Sequence, residues 1–307
     1  MLPFLLKPVF KDYIWGGTRL KTEYGKISDL PVIAESWELS ANREGASVIA
    51  DGPLKGMSFA DFVRNYPEEC GSVRTKQGEF PLLIKLIDAK TPLSVQVHPD
   101  DAYAATHENG AGKTEMWVVL DAAESASLYF GFKDAISPEE FRLRIENNTL
   151  TDALYAAPVK RGDVFFIPSG TIHAIGAGIL IAEIQQNSAT TYRVYDYGRV
   201  GADGKPRELH VAKALDVTNL VPAEKTAPGS GLLEQTADYK LTRLAKCGYF
   251  TVDRLEIPKN GKFVLKHDSF VSILSLSGDT KGESTFVPAG AGDVIIEGAG
   301  DFLLSTT

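Results

Sequence analysis

The 307-residue sequence contains only two cysteines, Cys70 and Cys247, which lie far apart and outside any CxxC pattern. Two cysteines are too few for a disulfide framework, and their scarcity predicts a reducing compartment. No run of about 18 apolar residues occurs. The N-terminal segment MLPFLLKPVF also lacks the basic region that precedes the apolar part of a secretion signal. These absences predict a soluble cytoplasmic protein with no membrane partner, and they leave open whether it is a monomer or a dimer.

Runs of basic residues are also absent, and the formal net charge is -8. An acidic chain repels a phosphate backbone, which argues against a nucleic-acid partner. Neither a GxGxxG nor a P-loop pattern is present, so no nucleotide cofactor is implied. An anionic small molecule can still bind where a few cations converge.

Glycine and proline are abundant, at 28 and 16 residues, and they separate many short segments with strand character. Regularly spaced short strands are typical of a sandwich or barrel. The segments RGDVFFIPSGTIHAI (161–175) and AGDVIIEGAGDFLLS (291–305) both run Gly-Asp-Val, apolar residues, a turn with glycine and another strand. That order is expected of the closing half of a small cupin-type barrel. We therefore predict a mostly β protein with two cupin-type β-barrel (jelly-roll) units and a few short helices.

Helical patterning is confined to three segments, 58–69, 137–156 and 208–220. The second begins with Ser137 in an N-cap position, followed by Pro138 and two acidic residues. The segment 221–240 is rich in Pro, Gly and Ala, which is typical of a connection. We predict a catalytic, metal-binding cupin domain over 1–220, a connection over 221–240, and a cupin-like β domain without metal ligands over 241–307.

Four polar residues form a candidate metal site. In the segment LSVQVHP, the two-residue period of a strand puts Ser94, Gln96 and His98 on one face. Glu115 lies in the strand segment EMWVVL, and His173 follows the turn at 168–170. Two imidazoles, a carboxylate and an amide oxygen suit a divalent metal ion such as Zn²⁺ with an open position.

Each of these residues has a simpler interpretation when it is taken alone. His98 precedes a proline and fits a turn residue, and Glu115 fits a solvated strand face. The combination favours the metal, because the chain has five histidines and two of them occupy cupin-like positions. The other three histidines are interpreted as structural: His107, His210 and His267.

The residues also resemble a known family. The segments PLSVQVHPDD, GKTEMW, IPSGTIHAIG and QQNSATTYRVYDYGR, together with YIWGG and ESWELS, resemble the shorter bacterial type I mannose-6-phosphate isomerases. The resemblance implies a zinc-dependent aldose–ketose isomerase that interconverts mannose 6-phosphate and fructose 6-phosphate through a cis-enediol. It places the zinc ligands, one ion per chain, on Gln96, His98, Glu115 and His173. Most of the helical insertion of longer members is missing here.

The same resemblance implies the catalytic residues. It places the active-site arginine on Arg193, the acid ahead of it on Glu183, and a lysine two residues before the metal glutamate on Lys113. The base stays open among Glu183, Lys113 and a metal-bound water. For substrate binding at the phosphate we propose Lys85, a lysine in an apolar strand, and Ser94, which shares a face with Gln96 and His98.

Two other functions fit parts of the pattern. An iron-dependent cupin oxygenase would also use a barrel metal, but Gln96 as ligand and the nearby cations Arg193 and Lys113 favour an anionic sugar. A non-enzymatic, sugar-binding cupin would bind a sugar phosphate without turnover. Oxygen uptake with Fe²⁺ tests the first alternative, and binding without conversion would support the second.

Overall fold

A computed structural model describes residues 1–71, 79–200 and 204–307. Within these ranges the chain is mostly β, as predicted from the sequence. The strands of the first part of the chain are β1 Phe4–Lys7, β2 Val9–Lys11, β3 Glu35–Leu39, β4 Ala41–Asn42, β5 Gly45–Ala46, β6 Val48–Ile49, β7 Leu82–Ala89, β8 Val95–Val97, β9 Glu115–Ala122, β10 Ser127–Phe132, β11 Leu154–Pro158, β12 Val164–Ile167, β13 His173–Ala174, β14 Ile179–Gln186 and β15 Tyr192–Tyr195. The remaining strands are β16 Gly231–Gln235, β17 Lys240–Lys246, β18 Thr251–Ile257, β19 Lys262–Leu265, β20 Val271–Ser275, β21 Ser284–Val287, β22 Val294–Glu297 and β23 Gly300–Thr306.

Six short α-helices and one 3₁₀ helix (Pro67–Cys70) accompany these strands within the described ranges: α1 Arg19–Tyr24, α2 Phe59–Asn65, α3 Asp101–His107, α4 Pro138–Glu146, α5 Leu150–Ala153 and α6 Val211–Val217. The predictions of α2 and α6 are confirmed. The helix predicted over 137–156 is wrong in its second half. Asn148 adopts a left-handed backbone with φ 56°, and it follows the end of α4, so that α5 and then β11 continue the chain.

A six-stranded antiparallel sheet, in the order β12-β9-β14-β7-β3-β2, carries one wall of the site. Its three central strands, β9, β14 and β7, are apolar on the face that packs against the C-terminal part of the chain. That face includes Met116, Val118, Ala182, Ile184 and Leu86, in one core cluster with Phe270 and Leu303. The alternate positions of the same strands point to the opposite side, where the polar residues lie.

A five-stranded sheet, in the order β11-β10-β13-β8-β15, forms the opposite wall. Its outer face is covered by the helices, since Val95 and Val97 of β8 pack in one cluster with Phe141 of α4 and Ala214 of α6. Its inner face packs against the six-stranded sheet, with Phe130 in the same cluster as Trp117 and Ile181. Two sheets packed in this way give this part of the chain its cupin-like form.

An eight-stranded sheet, in the order β16-β17-β18-β23-β20-β21-β1-β6, belongs mainly to the C-terminal part of the chain. Two strands from the beginning of the chain complete it, with Phe4 of β1 opposite Phe286 of β21. The predicted connection over 221–240 contains strand β16, which pairs with β17. The division into units at 1–220 and 241–307 stays a prediction.

Candidate metal centre and substrate cavity

Three strands bring the predicted metal ligands together. On β8 the alternation is as predicted, because Val95 and Val97 are buried against the helices while Gln96 points to the inner face. His173 of β13 lies directly opposite Gln96 on the neighbouring strand. Side chains directly opposite each other in an antiparallel pair have Cβ atoms about 5 Å apart. Glu115, the first residue of β9, closes the group from the other sheet.

His98, Glu115 and His173 form a cluster that is almost completely buried, with ligand atoms all within 4.8 Å of one another. His173 Nε2 lies 3.3 Å from Glu115 Oε1, and His98 Nε2 lies 3.7 Å from Glu115 Oε2. Tetrahedral zinc with bonds of about 2.0–2.2 Å would set its ligands roughly 3.3–3.6 Å apart. The spacing of these atoms therefore fits a small divalent ion.

Both imidazoles are fixed by the backbone. His98 Nδ1 lies 2.8 Å from the carbonyl of Thr190, and His173 Nδ1 lies 2.9 Å from the carbonyl of Thr171. A carbonyl only accepts, so each Nδ1 carries the hydrogen and each Nε2 keeps its lone pair. This is the arrangement in which a histidine binds a metal through Nε2 while its other nitrogen sets the ring orientation.

Three atoms of the cluster lack hydrogen-bond partners among the described residues, namely both carboxylate oxygens of Glu115 and His173 Nε2, although Glu115 Oε2 is ion-paired with Lys113. Burial lowers the pKa of His173 to about 4, and burial together with Lys113 lowers that of His98 well below its usual value. Burial, with a further contribution from Glu183, raises the pKa of Glu115. Two neutral imidazoles with Nε2 lone pairs and a buried carboxyl group are a donor set that fits a divalent metal ion.

The Lys113 side chain lies between this cluster and the cavity. Its Nζ is 2.8 Å from Glu115 Oε2, 3.3 Å from His98 Nε2 and 4.0 Å from Glu183 Oε1. Lys113 also lines the cavity, whereas His98, Glu115 and His173 do not. A proton on Lys113 is therefore within reach both of the cluster and of a molecule in the cavity.

A row of four polar and aromatic side chains crosses the six-stranded sheet. Trp37 of β3 lies opposite Lys85 of β7, Lys85 opposite Glu183 of β14, and Glu183 opposite Trp117 of β9. Lys85 Nζ is 3.0 Å from Glu183 Oε1, and the Trp117 indole N–H donates to Glu183 Oε2 at 2.9 Å. Both oxygens of Glu183 are thus contacted by a positive or hydrogen-bonding group.

This row determines the charge of its members. Burial alone would raise the pKa of Glu183, but Lys113, Lys85 and the Trp117 hydrogen bond outweigh it and lower the pKa. Burial would likewise lower the pKa of Lys85, but Glu183 and Glu35 outweigh it and raise the pKa. Glu183 and Lys85 are therefore a charged, mutually stabilised pair at neutral pH.

A cavity of about 220 Å³ opens beside the row and the cluster. Lys85, Glu183, Lys113, Ser94 and Arg193 all line it, as does Gln96. Arg193 lies opposite Gln96 on β15, and it donates from Nε to Ser94 Oγ at 3.2 Å and from Nη1 to the Glu208 carbonyl at 3.0 Å. Every residue predicted for the site from the sequence therefore lies in the buried cluster or at the cavity wall.

Sequence reasoning missed several residues of the site. Glu35 and Trp37 line the cavity from β3, and Arg207 lines it from the segment before α6. The sequence signal for Glu35 and Trp37 is the segment ESWELS, in which the two-residue period of a strand puts both residues on one face. Which strand lies beside β3 depends on the order of strands in the sheet, and the periodicity alone does not give that order.

Comparison with known proteins gives consistent results. The sequence model described as "Phosphomannose isomerase type I, catalytic domain" matches residues 4–124. The chain is 38% identical to the probable mannose-6-phosphate isomerase GmuF of Bacillus subtilis, over 99% of this chain and 98% of that protein. It is also 38% identical to the mannose-6-phosphate isomerase ManA of Bacillus subtilis, with the same coverage.

Solved structures give the same result for the fold. The mannose 6-phosphate isomerase of Bacillus subtilis superposes with a TM-score of 0.93 at 34% identity, and the match covers 100% of both chains. Variants of the phosphomannose isomerase of Salmonella typhimurium share the fold at 16% identity, with a TM-score of 0.79 in one case. Among the residues described, no helix is both long and apolar enough to span a membrane.

Proposed function

The chain belongs to the type I phosphomannose isomerase family, and from this premise we propose that it interconverts mannose 6-phosphate and fructose 6-phosphate. The observation that carries the proposal is the buried cluster of His98, Glu115 and His173 next to a polar cavity. Glu115 Oε1 and His173 Nε2 lack hydrogen-bond partners in the described chain, which favours a bound cation over a purely structural cluster. The family assignment also favours an isomerase over the iron oxygenase and the non-enzymatic sugar-binding protein.

We propose that Gln96, His98, Glu115 and His173 would hold one Zn²⁺ ion per chain. When bound, the ion would act as a Lewis acid toward the O1 and O2 oxygens of the open-chain sugar. Gln96 is half-buried and lines the cavity, so it is the ligand that faces the substrate. The two histidines supply neutral nitrogens without losing a proton, because their pKa values lie below neutrality.

The isomerisation moves a proton between C1 and C2 through a cis-enediol, and the chain offers two groups to carry it. Lys113 Nζ and Glu183 Oε1 are 4.0 Å apart, and both residues line the cavity. We assign the proton transfer to this pair. Both carboxylate oxygens of Glu183 are held in place by neighbouring groups. Lys113 also contacts the buried cluster of metal ligands, which supports Lys113 as the residue that exchanges one contact for another during the reaction.

Arg193 supplies the fixed positive charge for the developing enediolate. Its guanidinium is held at two points, by Ser94 and by the Glu208 carbonyl, and it lines the cavity. A preorganised donor of this kind stabilises charge that develops only in the transition state. Arg193 therefore contributes to the rate more than to substrate binding in this proposal.

Lys85 and Ser94 remain our proposal for contacts with the substrate phosphate. Both residues line the cavity, and Lys85 lies in an otherwise apolar strand segment. Two carboxylates already contact Lys85, at 3.0 Å and 3.5 Å, so only part of its hydrogen-bonding capacity is left for a phosphate oxygen. Arg207, on the same cavity wall, adds positive charge.

Interconversion of the two sugar phosphates by the purified protein, before and after removal of metal with a chelator, tests the proposed function. We expect activity to disappear with the metal and to return when Zn²⁺ is added. Full activity in protein shown by metal analysis to be metal-free would contradict the proposed metal role. A metal-loaded protein that binds mannose 6-phosphate without converting it would contradict the proposed reaction.

A further inference from the structure

Glu35 and Trp37 lie on the cavity side of β3, next to the row that crosses the six-stranded sheet. The Trp37 indole N–H donates to Glu35 Oε2 at 2.7 Å. The same carboxylate oxygen lies 3.5 Å from Lys85 Nζ, and Lys85 Nζ lies 5.4 Å from the centre of the Trp37 ring. Glu35 is 8% exposed and Lys85 is 7% exposed, so this contact is largely shielded from water.

The arrangement around Lys85 is nearly symmetric. Each of its two carboxylate neighbours accepts an indole N–H from a tryptophan of its own, Glu35 from Trp37 and Glu183 from Trp117. Two carboxylates attract an ammonium group that lies between them from opposite sides. The position of the ammonium group therefore depends on how firmly each carboxylate is held in place. Without Glu35, Glu183 would be the remaining carboxylate within 4.0 Å of Lys85 Nζ among the described residues.

We propose that Glu35, held by the indole of Trp37, is a positioning residue for Lys85 and, through Lys85, for the carboxylate of Glu183. Glu35 acts on the reaction by fixing where the ammonium sits, and so which direction Glu183 presents to Lys113 and to the cavity. The inference rests on the role of Glu183 in the proposed function. Misplacement of a reacting group by about 1 Å can reduce a rate by roughly 100-fold, so a carboxylate one residue removed from the chemistry can affect kcat.

The test combines Glu35→Gln with Trp37→Phe. Glutamine keeps an acceptor for the Trp37 indole and removes the charge that holds Lys85, while phenylalanine keeps the ring and releases Glu35. We expect both variants to lower kcat about 10-fold and to change KM for mannose 6-phosphate less than kcat, because Glu183 loses its orientation while Lys85, the proposed phosphate contact, stays in the cavity wall. Unchanged kcat in Glu35→Gln would overturn the inference, and so would a rise in KM with kcat intact.

Glu38→Gln is the matched control. Glu38 lies on the same strand, is fully buried and is also ion-paired, with its Oε1 2.7 Å from Lys26 Nζ, but it points away from the cavity. A merely structural effect would lower thermal stability in both variants and kcat in both or neither. We expect Glu38→Gln to lose stability and keep its kcat, whereas an equal loss of kcat in Glu38→Gln would count against a specific role of Glu35.

A double-mutant cycle separates action through Lys85 from direct contact with the sugar. If Glu35 acts through Lys85, adding Glu35→Gln to Lys85→Met should cause no further loss of kcat, while independent roles would multiply the two losses. Crystal structures of the wild type and Glu35→Gln give a readout independent of activity. Lys85 Nζ is expected to move relative to Glu183 Oε1, and an unchanged position would reject the inference even if the wild type proved inactive and the proposed function failed.

Discussion

Lys113 Nζ and Glu115 Oε2 lie 2.8 Å apart, so the residue that faces the substrate cavity is bonded to a residue of the buried cluster. An ion held through this oxygen would compete with the Lys113 ammonium group, whereas an ion held through Glu115 Oε1 would leave the contact in place.

Zinc should stabilise the folded protein as well as activate it. The cluster of His98, Glu115 and His173 buries a carboxylate oxygen without a partner in the described chain, and an ion bound only to the folded state shifts unfolding by mass action. At a free Zn²⁺ concentration of 100 times Kd, the gain in unfolding free energy is about 2.7 kcal/mol. Thermal denaturation of chelated and zinc-loaded protein measures it, and identical transitions in the two forms would exclude a zinc site here.

Replacing His173 by alanine should remove the metal. His173 Nε2 is aimed at Glu115 and has no hydrogen-bond partner among the described residues, so its loss takes away a ligand. Affinity should fall by more than the roughly 10–100-fold that is typical of an outer-shell partner. Metal analysis after dialysis measures the effect. His107→Ala is the matched control, since His107 is exposed on α3, and equal metal loss in both variants would refute the assignment.

Arg193→Ala should lower kcat by about 100- to 1,000-fold with a smaller change in KM. The guanidinium is held by Ser94 and the Glu208 carbonyl, and removal of one preorganised donor typically has this effect on kcat. Steady-state kinetics with mannose 6-phosphate measure both constants. Arg142→Ala, on the surface of α4, should behave as the wild type. A large rise in KM with normal kcat would assign Arg193 to substrate binding instead.

The stability of the protein should fall in acid partly through Asp196. Burial would raise the pKa of this carboxyl, but hydrogen bonds from Arg207 and Arg199 outweigh it and lower the pKa. A folded-state pKa below the unfolded value of about 3.9 stabilises the protein above that pH, and the stabilisation is lost as the pH falls through the folded-state pKa. Denaturant unfolding between pH 2 and 6 should show a shallower decline for Asp196→Asn. The same dependence of the unfolding free energy on pH in the wild type and in Asp196→Asn would contradict the prediction.

Lys26→Met should destabilise the protein without affecting catalysis. Lys26 Nζ lies 2.7 Å from Glu38 Oε1 and 2.5 Å from the Gly282 carbonyl, which joins the N-terminal part of the chain to the C-terminal part. Removing one partner leaves a buried carboxylate without its counter-charge, at a typical cost of about 3–5 kcal/mol. Equilibrium unfolding measures it. The double variant Lys26→Met/Glu38→Leu should recover part of the loss, and no recovery would argue against the pair as the cause.

The positions of the candidate site residues follow from the sequence more directly than the order of strands in the sheet does. Alternation on β8 and β9 was sufficient to place Gln96 and Glu115 on inward faces, because one face of each strand is apolar and buried against its neighbours. Family resemblance added Arg193 and Glu183, whose side chains are common on protein surfaces and carry no signal alone. Glu35 was missed because its importance depends on which strand lies beside β3.

The short helices show a similar limit of prediction from the sequence. The helices α1 and α3 were not predicted, since each is only six or seven residues long and carries a weak apolar pattern. The side chain of Asp100 caps α3 by accepting from the Tyr103 backbone N–H, a local signal that the sequence does contain. The overlong helix predicted after Ser137 failed at Asn148, where the backbone turns left-handed.

The pairing of β1 with β21 has a kinetic consequence. Phe4 and Phe286 meet in one sheet although nearly the whole described chain separates them, and strand β23 lies between β18 and β20 in the middle of that sheet. Contacts of such high sequence separation raise the contact order, and the entropy of closing these loops must be overcome before the contacts stabilise anything. Refolding should therefore be slow for a chain of this size. A fragment ending near residue 220 would leave β1 an open edge, prone to pair with other chains.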